Sequence, residues 1–195
     1  GNRKLDILKL ARAVSAFAPN CITIPLNDLN KQSFKLTDLT KVNGITHDDA
    51  HDAISDCNAT IELGKKIKNK APEIWDSSLS FVNGDAIGKK FFNDDFVVYQ
   101  DLVFGKLYNF AASFVCFHPT YGKSWLACFD LKHDPRPLFD LGFSELKQAL
   151  FTSPTKIRQV SLNKMPSVLS KDYFNLLSDY KELGLKEISD RANLV

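Results

Sequence analysis

Apolar positions recur along this chain at two different periods, helical in the first part and alternating in the second. Ile7, Leu10, Ala11, Val14 and Phe17 fall on one face at helical spacing and predict a helix over 5–17. Asp6 sits where such a helix starts. Pro19 stops it, because proline has no amide hydrogen and its ring collides with the preceding turn. Leu36, Leu39 and Val42 predict a short second helix over 36–43. Gly44 then stands where a left-handed C-cap is wanted, with Ile45 as the apolar residue that folds back under it. A third helix is expected over 49–68, with Ala50, Ala53, Ile54, Cys57, Ile61 and Gly64 as its buried stripe. Its aspartate-rich start and its closing Lys65, Lys66 and Lys68 complement the helix dipole. Asp48 or Asp49 is the expected cap, with Asp52 as first-turn charge. Pro72 marks a break, and a domain boundary is placed there, dividing 1–72 from 73–195.

Beyond it the texture changes. Phe96–Tyr99, Leu107–Phe110, Ser113–Phe117 and Trp125–Leu131 are short, rich in β-branched and aromatic residues, and separated by turn residues. His118–Lys123 reads as the hairpin connection between the last two. A helix over 144–150, with Ser144 as N-cap, interrupts the pattern. Val160–Leu162 is expected as the final strand, and the chain from Tyr173 reads as helix or extended tail. The fold class is therefore α+β: helices first, then a small, strongly bent antiparallel sheet or barrel.

Composition narrows this only a little. A hydrophobic share of 44% fills a core and 25% charged residues suit a water-facing surface. No run approaches the roughly 20 apolar residues of a membrane-spanning helix, so no membrane partner is expected. The opening Gly1-Asn2-Arg3-Lys4 leads into an amphipathic pattern without a signal-peptide core. A cytoplasmic protein is the expectation. Cys21, Cys57, Cys116 and Cys128 are scattered among apolar neighbours and read as buried free thiols. A formal net charge of only +2 argues against a protein held on DNA by charge alone. An acidic metal site would still be compatible with it, by cancelling basic charge elsewhere.

Candidate chemistry concentrates in His47-Asp48-Asp49-Ala50-His51-Asp52-Ala53-Ile54-Ser55-Asp56. The simplest reading is an acidic helix start, where aspartates meet free amide donors. The flanking text changes that. Ser33 to Ile45 followed by His51-x4-Asp56 resembles the DEDDh 3′–5′ exonuclease superfamily, in which a short helix ends in Gly-Ile and a His-x4-Asp follows. The likeness is greatest to its bacterial single-strand exodeoxyribonuclease branch. It extends through Phe117-His118-Pro119 and Leu162-Asn163-Lys164-Met165-Pro166, over nearly the whole chain.

The resemblance implies His51 as general base, Asp56 as metal ligand, and Lys35 as a contact to the DNA backbone. It implies two Mg2+ ions in the complete enzyme, and single-stranded DNA and the single-stranded DNA-binding protein as partners. It gives His47, Asp48, Asp49 and Asp52 no role. On a straight helix, five residues amount to about 140° beyond one turn. His51 and Asp56 converge only if His51 leans over the frayed start while Asp56 projects from the second turn. The resemblance further implies that 1–72 is the C-terminal part of the exonuclease domain. It makes 73–195 an SH3-like domain where Tyr99, Tyr108, Tyr121 and Trp125 could stack on bases.

The pattern's Asp-x-Glu occurs nowhere in the chain, and a further metal aspartate is also missing, so the sequence reads as starting partway through the nuclease domain. Alone it is expected to be inactive. Two other readings stand beside this one. One is a binding module that contacts DNA or protein without cleaving. The other is an HD-type metal phosphohydrolase using His47 with His51-Asp52.

Overall fold

The computed structural model describes residues 4–48, 52–81, 83–103, 106–164 and 166–195. The chain gathers into two compact units, Gly1–Leu79 and Ser80–Val195.

The first unit is helical. Asp6 caps α1 (Ile7–Phe17), its carboxylate accepting from Lys9 N–H at 3.1 Å. Leu10, Ala11, Val14 and Phe17 are buried, as their spacing requires. α2 (Leu36–Val42) closes as its sequence dictates. Gly44 adopts φ +64°, and Ile45 N–H donates to Thr40 O at 3.0 Å, so the last free carbonyls of the helix find donors.

α3 (Ala53–Lys70) corrects two expectations. Its cap is Asp52, which accepts from Ile54 N–H at 3.1 Å and Ser55 N–H at 2.9 Å; Asp48 does not cap it, and Asp49 lies outside the described residues. The buried line is Ala59, Leu63, Gly64 and Ile67, whereas Ile54 is 72% exposed and Ile61 and Cys57 are exposed as well. Ala50 is outside the described residues. The helix carries two apolar lines, and α1 settles against the one containing Gly64. A Cβ there would come within 3.1 Å of Ile7 Cδ1, so the glycine is what lets α1 approach.

Pro72 does end one helix, but it also begins α4 (Pro72–Ser80). Proline is tolerated in a first turn, where its missing N–H has no partner to lose. α5 (Gly84–Asn93), capped by Asn83 through Ala86 N–H at 2.8 Å, likewise lies where no helix was expected.

The second unit is built on an antiparallel sheet of five strands among the described residues, in the order β4-β3-β2-β1-β5. These are β1 (Val97–Val103), β2 (Lys106–His118), β3 (Gly122–Asp130), β4 (Ile157–Ser161) and β5 (Ser167–Leu169). The two expected strands at 107–110 and 113–117 are one long strand. The small Ala111 and Ala112, which look like an interruption, are fully buried within it. The expected hairpin is present, with Ser113 opposite Phe129, Phe114 opposite Cys128 and Phe117 opposite Leu126. Irregular pairing between Phe114 and Cys116, and again between Phe117 and His118, bends β2. The sheet is open, with β4 and β5 as its edges, so the closed barrel is not seen. The segment over 160–162 is not the last strand, because β5 follows it.

Ile87 and Phe91 of α5 cover the sheet's core face with Tyr99, Phe110, Leu126, Cys128, Val160 and Val168. Tyr99 is 1% exposed and meets Phe91 edge-on at 5.9 Å, which removes it as a base-stacking platform. The helix α6 (Phe143–Phe151) starts at Gly142, whose N–H donates to Glu145 at 3.1 Å; Ser144 is inside the helix and is not the cap. The chain ends in short 3-10 turns and α7 (Gly184–Ala192). Arg191 of α7 ties this end down by donating to Leu131 O and Lys132 O at 3.1 and 2.9 Å. Cys21 and Cys128 are buried free thiols, but Cys57 and Cys116 are exposed, on the outward line of α3 and at the bend of β2. Among the described residues, no helix is long and apolar enough to cross a membrane.

Candidate functional site

The site forms where the turn after α2 returns the chain to the start of α3. Asp52 anchors that start, and Asp56 lies in the first helical turn, its N–H donating to Asp52 O at 2.9 Å. The cap therefore moves Asp56 one turn earlier than expected.

His47, to which the exonuclease resemblance gives no role, is brought onto Asp56. Its Nε2 lies 2.6 Å from Asp56 Oδ1, and its Nδ1 lies 3.3 Å from the Thr40 hydroxyl. Thr40 in turn donates to Thr37 O at 3.1 Å, so the chain of contacts ends on the backbone of α2. An ionised carboxylate can only accept, so Nε2 carries the proton in this contact. The His47 side chain is 4% exposed and that of Asp56 is 42% exposed. A buried ring thus steadies a carboxylate that still faces solvent. The available signal for His47 was its place directly after the Gly44 turn, which folds the chain back toward α3.

The other expected site residues fare differently. His51 lies outside the described residues. Lys35 is exposed at the N-cap position of α2. That is the opposite end of the helix from the Gly44 turn, about 10 Å away at 1.5 Å per residue. Asp48 and Asp52 line an open groove with Gly44, Ser55, Lys65 and Lys66. Among the described residues, His47 is turned to Asp56 and Asp52 is used as a cap, so neither is placed as a ligand of an HD-type hydrolase.

Among the described residues there is no group of three or more His, Cys, Asp or Glu side chains able to hold a metal ion. The pair of His47 and Asp56 does not make a metal centre by itself, least of all for two hydrated magnesium ions that shed water reluctantly.

An acidic helix start behind a Gly-Ile turn, joined in sequence to an open antiparallel sheet, matches known nucleases of single-stranded DNA. Curated relatives and solved structures that the chain matches include exodeoxyribonuclease I, and the chain is exodeoxyribonuclease I-like over nearly its whole length. Exodeoxyribonuclease I of Buchnera aphidicola subsp. Schizaphis graminum is 35% identical over 99% of this chain and 47% of its own length. The Escherichia coli K12 enzyme is 31% identical over 85% of this chain and 37% of its own. The crystal structure of E. coli exonuclease I with a dT13 oligonucleotide superposes with a TM-score of 0.70 at 27% identity, covering 97% of this chain and 44% of that one. An exonuclease I complex with the SSB C-terminal peptide, and a zinc-bound E. coli enzyme with single-stranded DNA, each give a TM-score of 0.68 at 27% identity over 97% of this chain and 43% of theirs. The chain thus spans less than half the length of these relatives. No family model matches it.

Proposed function

We propose that this segment is part of a metal-dependent 3′–5′ exodeoxyribonuclease that degrades single-stranded DNA to 5′-mononucleotides. The observation that carries the reading is the likeness to exodeoxyribonuclease I along 99% of the chain. In this reading the first part of the chain, 1–72, is the C-terminal part of a DEDDh exonuclease domain, and 73–195 corresponds to its SH3-like domain. The partners are single-stranded DNA and the single-stranded DNA-binding protein, and the setting is the bacterial cytoplasm.

Asp56 is assigned as one ligand of a centre of two Mg2+ ions, whose other ligands are not among the described residues. Such ions activate a water and stabilise the leaving oxygen. His51 is assigned as the general base, since an imidazole titrates in the range where it can accept a water's proton. Lys35 is assigned to the DNA backbone.

The test uses 3′-labelled single-stranded DNA and a nuclease that carries this segment together with a full set of metal carboxylates. His51→Ala is expected to lower kcat by about a hundredfold with little change in DNA affinity. Asp56→Asn is expected to lose activity that returns in part at higher metal concentration or with manganese. The 195-residue chain by itself is expected to release no nucleotide. Wild-type kcat in His51→Ala moves the base elsewhere, and a wild-type metal titration in Asp56→Asn removes the ligand assignment.

A further inference from the structure

We propose that His47 is a positioning residue of the nuclease centre, its ring holding the Asp56 carboxylate in one orientation for a divalent cation. This role rests on Asp56 being a metal ligand, as read above, and falls to a residue that the family resemblance leaves without one.

The ring is held at both of its nitrogens. Nε2 lies 2.6 Å from Asp56 Oδ1 and Nδ1 lies 3.3 Å from Thr40 Oγ1, so a flip of the imidazole loses both contacts. Thr40 is buried, and its carbonyl accepts from Ile45 N–H at 3.0 Å, which anchors the turn that delivers His47. The two helices behind the pair are braced to each other. Asn43, the C-cap of α2, donates through Nδ2 to Leu39 O at 2.8 Å and to Thr23 O at 2.8 Å. Lys66 of α3 donates in turn to the Asn43 carbonyl. Ring, carboxylate and both backbones are thus set relative to one another before any ion arrives, as a precise site requires.

The choice of partner separates this role from that of an ordinary buried histidine. Packing alone needs only some acceptor for the ring N–H, and most side-chain hydrogen bonds in proteins go to backbone or water. Here a ring that is almost wholly buried gives its N–H to a carboxylate that water reaches. Asp52, one turn earlier, accepts Ile54 N–H and Ser55 N–H as the helix cap. The histidine therefore meets the aspartate that is not spent on the helix start. A carboxylate oxygen is the hard donor that magnesium takes, so Asp56 fits as one ligand, although not as a centre by itself. Carboxylates that ligate metals are themselves hydrogen-bonded from behind, which orients them toward the ion. His47 stands in that place, and Thr40 stands behind His47.

The experiment measures metal binding apart from cleavage, in the DNA-free nuclease that carries this segment and a full set of metal carboxylates. Mn2+ is the probe, titrated by electron paramagnetic resonance, with circular dichroism to check each variant's fold. His47→Ala is expected to weaken Mn2+ binding by about tenfold or more, the order for a partner lost from behind a ligand. His47→Gln, whose amide N–H reaches a similar place, should restore most of the affinity, and Thr40→Val should weaken it less than His47→Ala. In the metal-free 195-residue chain, the His47 Nε2–H resonance should exchange slowly with water and should shift in Asp56→Ala. Unchanged Mn2+ affinity in folded His47→Ala, an equal loss in His47→Gln, or a rapidly exchanging Nε2–H would each overturn the role. The resonance decides if His47→Ala does not fold. Asp56→Asn tells the two possible failures apart. Wild-type Mn2+ affinity in that variant removes Asp56 as a ligand and His47 with it. Weakened binding there, beside wild-type binding in His47→Ala, removes the positioning alone.

Discussion

Asp56 in the first unit and Asp130 in the second are the same chemical group in opposite circumstances. The Asp130 side chain is 2% exposed, and both of its oxygens are fully engaged. Oδ1 accepts from Tyr180 Oη at 2.5 Å and Lys132 N–H at 3.1 Å; Oδ2 accepts from Arg158 Nε and Nη2 at 3.1 and 2.9 Å. The guanidinium in turn lies 4.5 Å from the centre of the Phe110 ring. Asp56 meets the buried His47 and remains 42% exposed. A carboxylate whose lone pairs are all filled inside a fold has no capacity for a ligand, and its removal strands its partners. A carboxylate that still faces solvent can take a ligand at little cost to the fold. Both stand beside cations or donors in the sequence, so local composition does not separate them.

The contrast breaks most visibly at Asp130. Asp130→Ala leaves a half-buried guanidinium and a buried phenol without their acceptor, and is expected to destabilise the second unit by about 3 kcal/mol, measured by urea unfolding. A loss below about 1 kcal/mol would mean that water replaces the carboxylate and that the network is incidental.

A smaller effect should come from pH. Burial, and after it the charge of Asp130, pushes the Tyr180 hydroxyl well above the ordinary tyrosine range. Burial does the same to Tyr99 and to the Cys128 thiol. In each case the folded state holds its proton longer than the unfolded chain does. That stability is fully present below the unfolded value, near 10 for tyrosine, and is lost as pH rises beyond it. Unfolding midpoints measured from pH 8 to 11 should therefore begin to fall near pH 9, where Cys128 of the unfolded chain ionises, and fall more steeply above pH 10 as the tyrosines follow. The fall should be shallower in Tyr180→Phe, and an equal slope in that variant would remove Tyr180 from the account.

The smallest expected change sharpens the other side of the comparison. Asp56→Asn keeps an oxygen that can accept from His47 and buries no new polar group. Its effect on the stability of the 195-residue chain is expected to stay within about 0.5 kcal/mol, the usual range for surface substitutions away from such features. A loss as large as that of Asp130→Ala would make Asp56 a structural residue and weaken its assignment to metal.

Much of this was legible in the chain because it rests on neighbours in sequence. Asp6 at the start of α1, Gly44 and Ile45 at the end of α2, and the pairing of 113–117 with 125–131 all follow from hydrogen-bond patterns a few residues long. Where two local rules compete, the sequence misleads. Pro72 both ends α3 and opens α4, and Asp48, Asp49 and Asp52 stand close enough together that the expected cap, Asp48 or Asp49, misses the actual one, Asp52.

By itself, then, the sequence determined the helix limits of α1 and α2, the central hairpin, and the family likeness written into His51-x4-Asp56 and its flanks. The tertiary structure decided which apolar line of α3 is buried, that Asp52 is its cap, that His47 reaches Asp56, and that Asp130 is sealed by Arg158 and Tyr180. Those outcomes depend on what packs against each element. Ile7 closing on Gly64 buries one face of α3 and leaves Ile54 and Ile61 outside. Arg158 and Tyr180 reach Asp130 from 28 and 50 residues away. Contacts at that separation are set by the three-dimensional packing, and no local spacing rule encodes them.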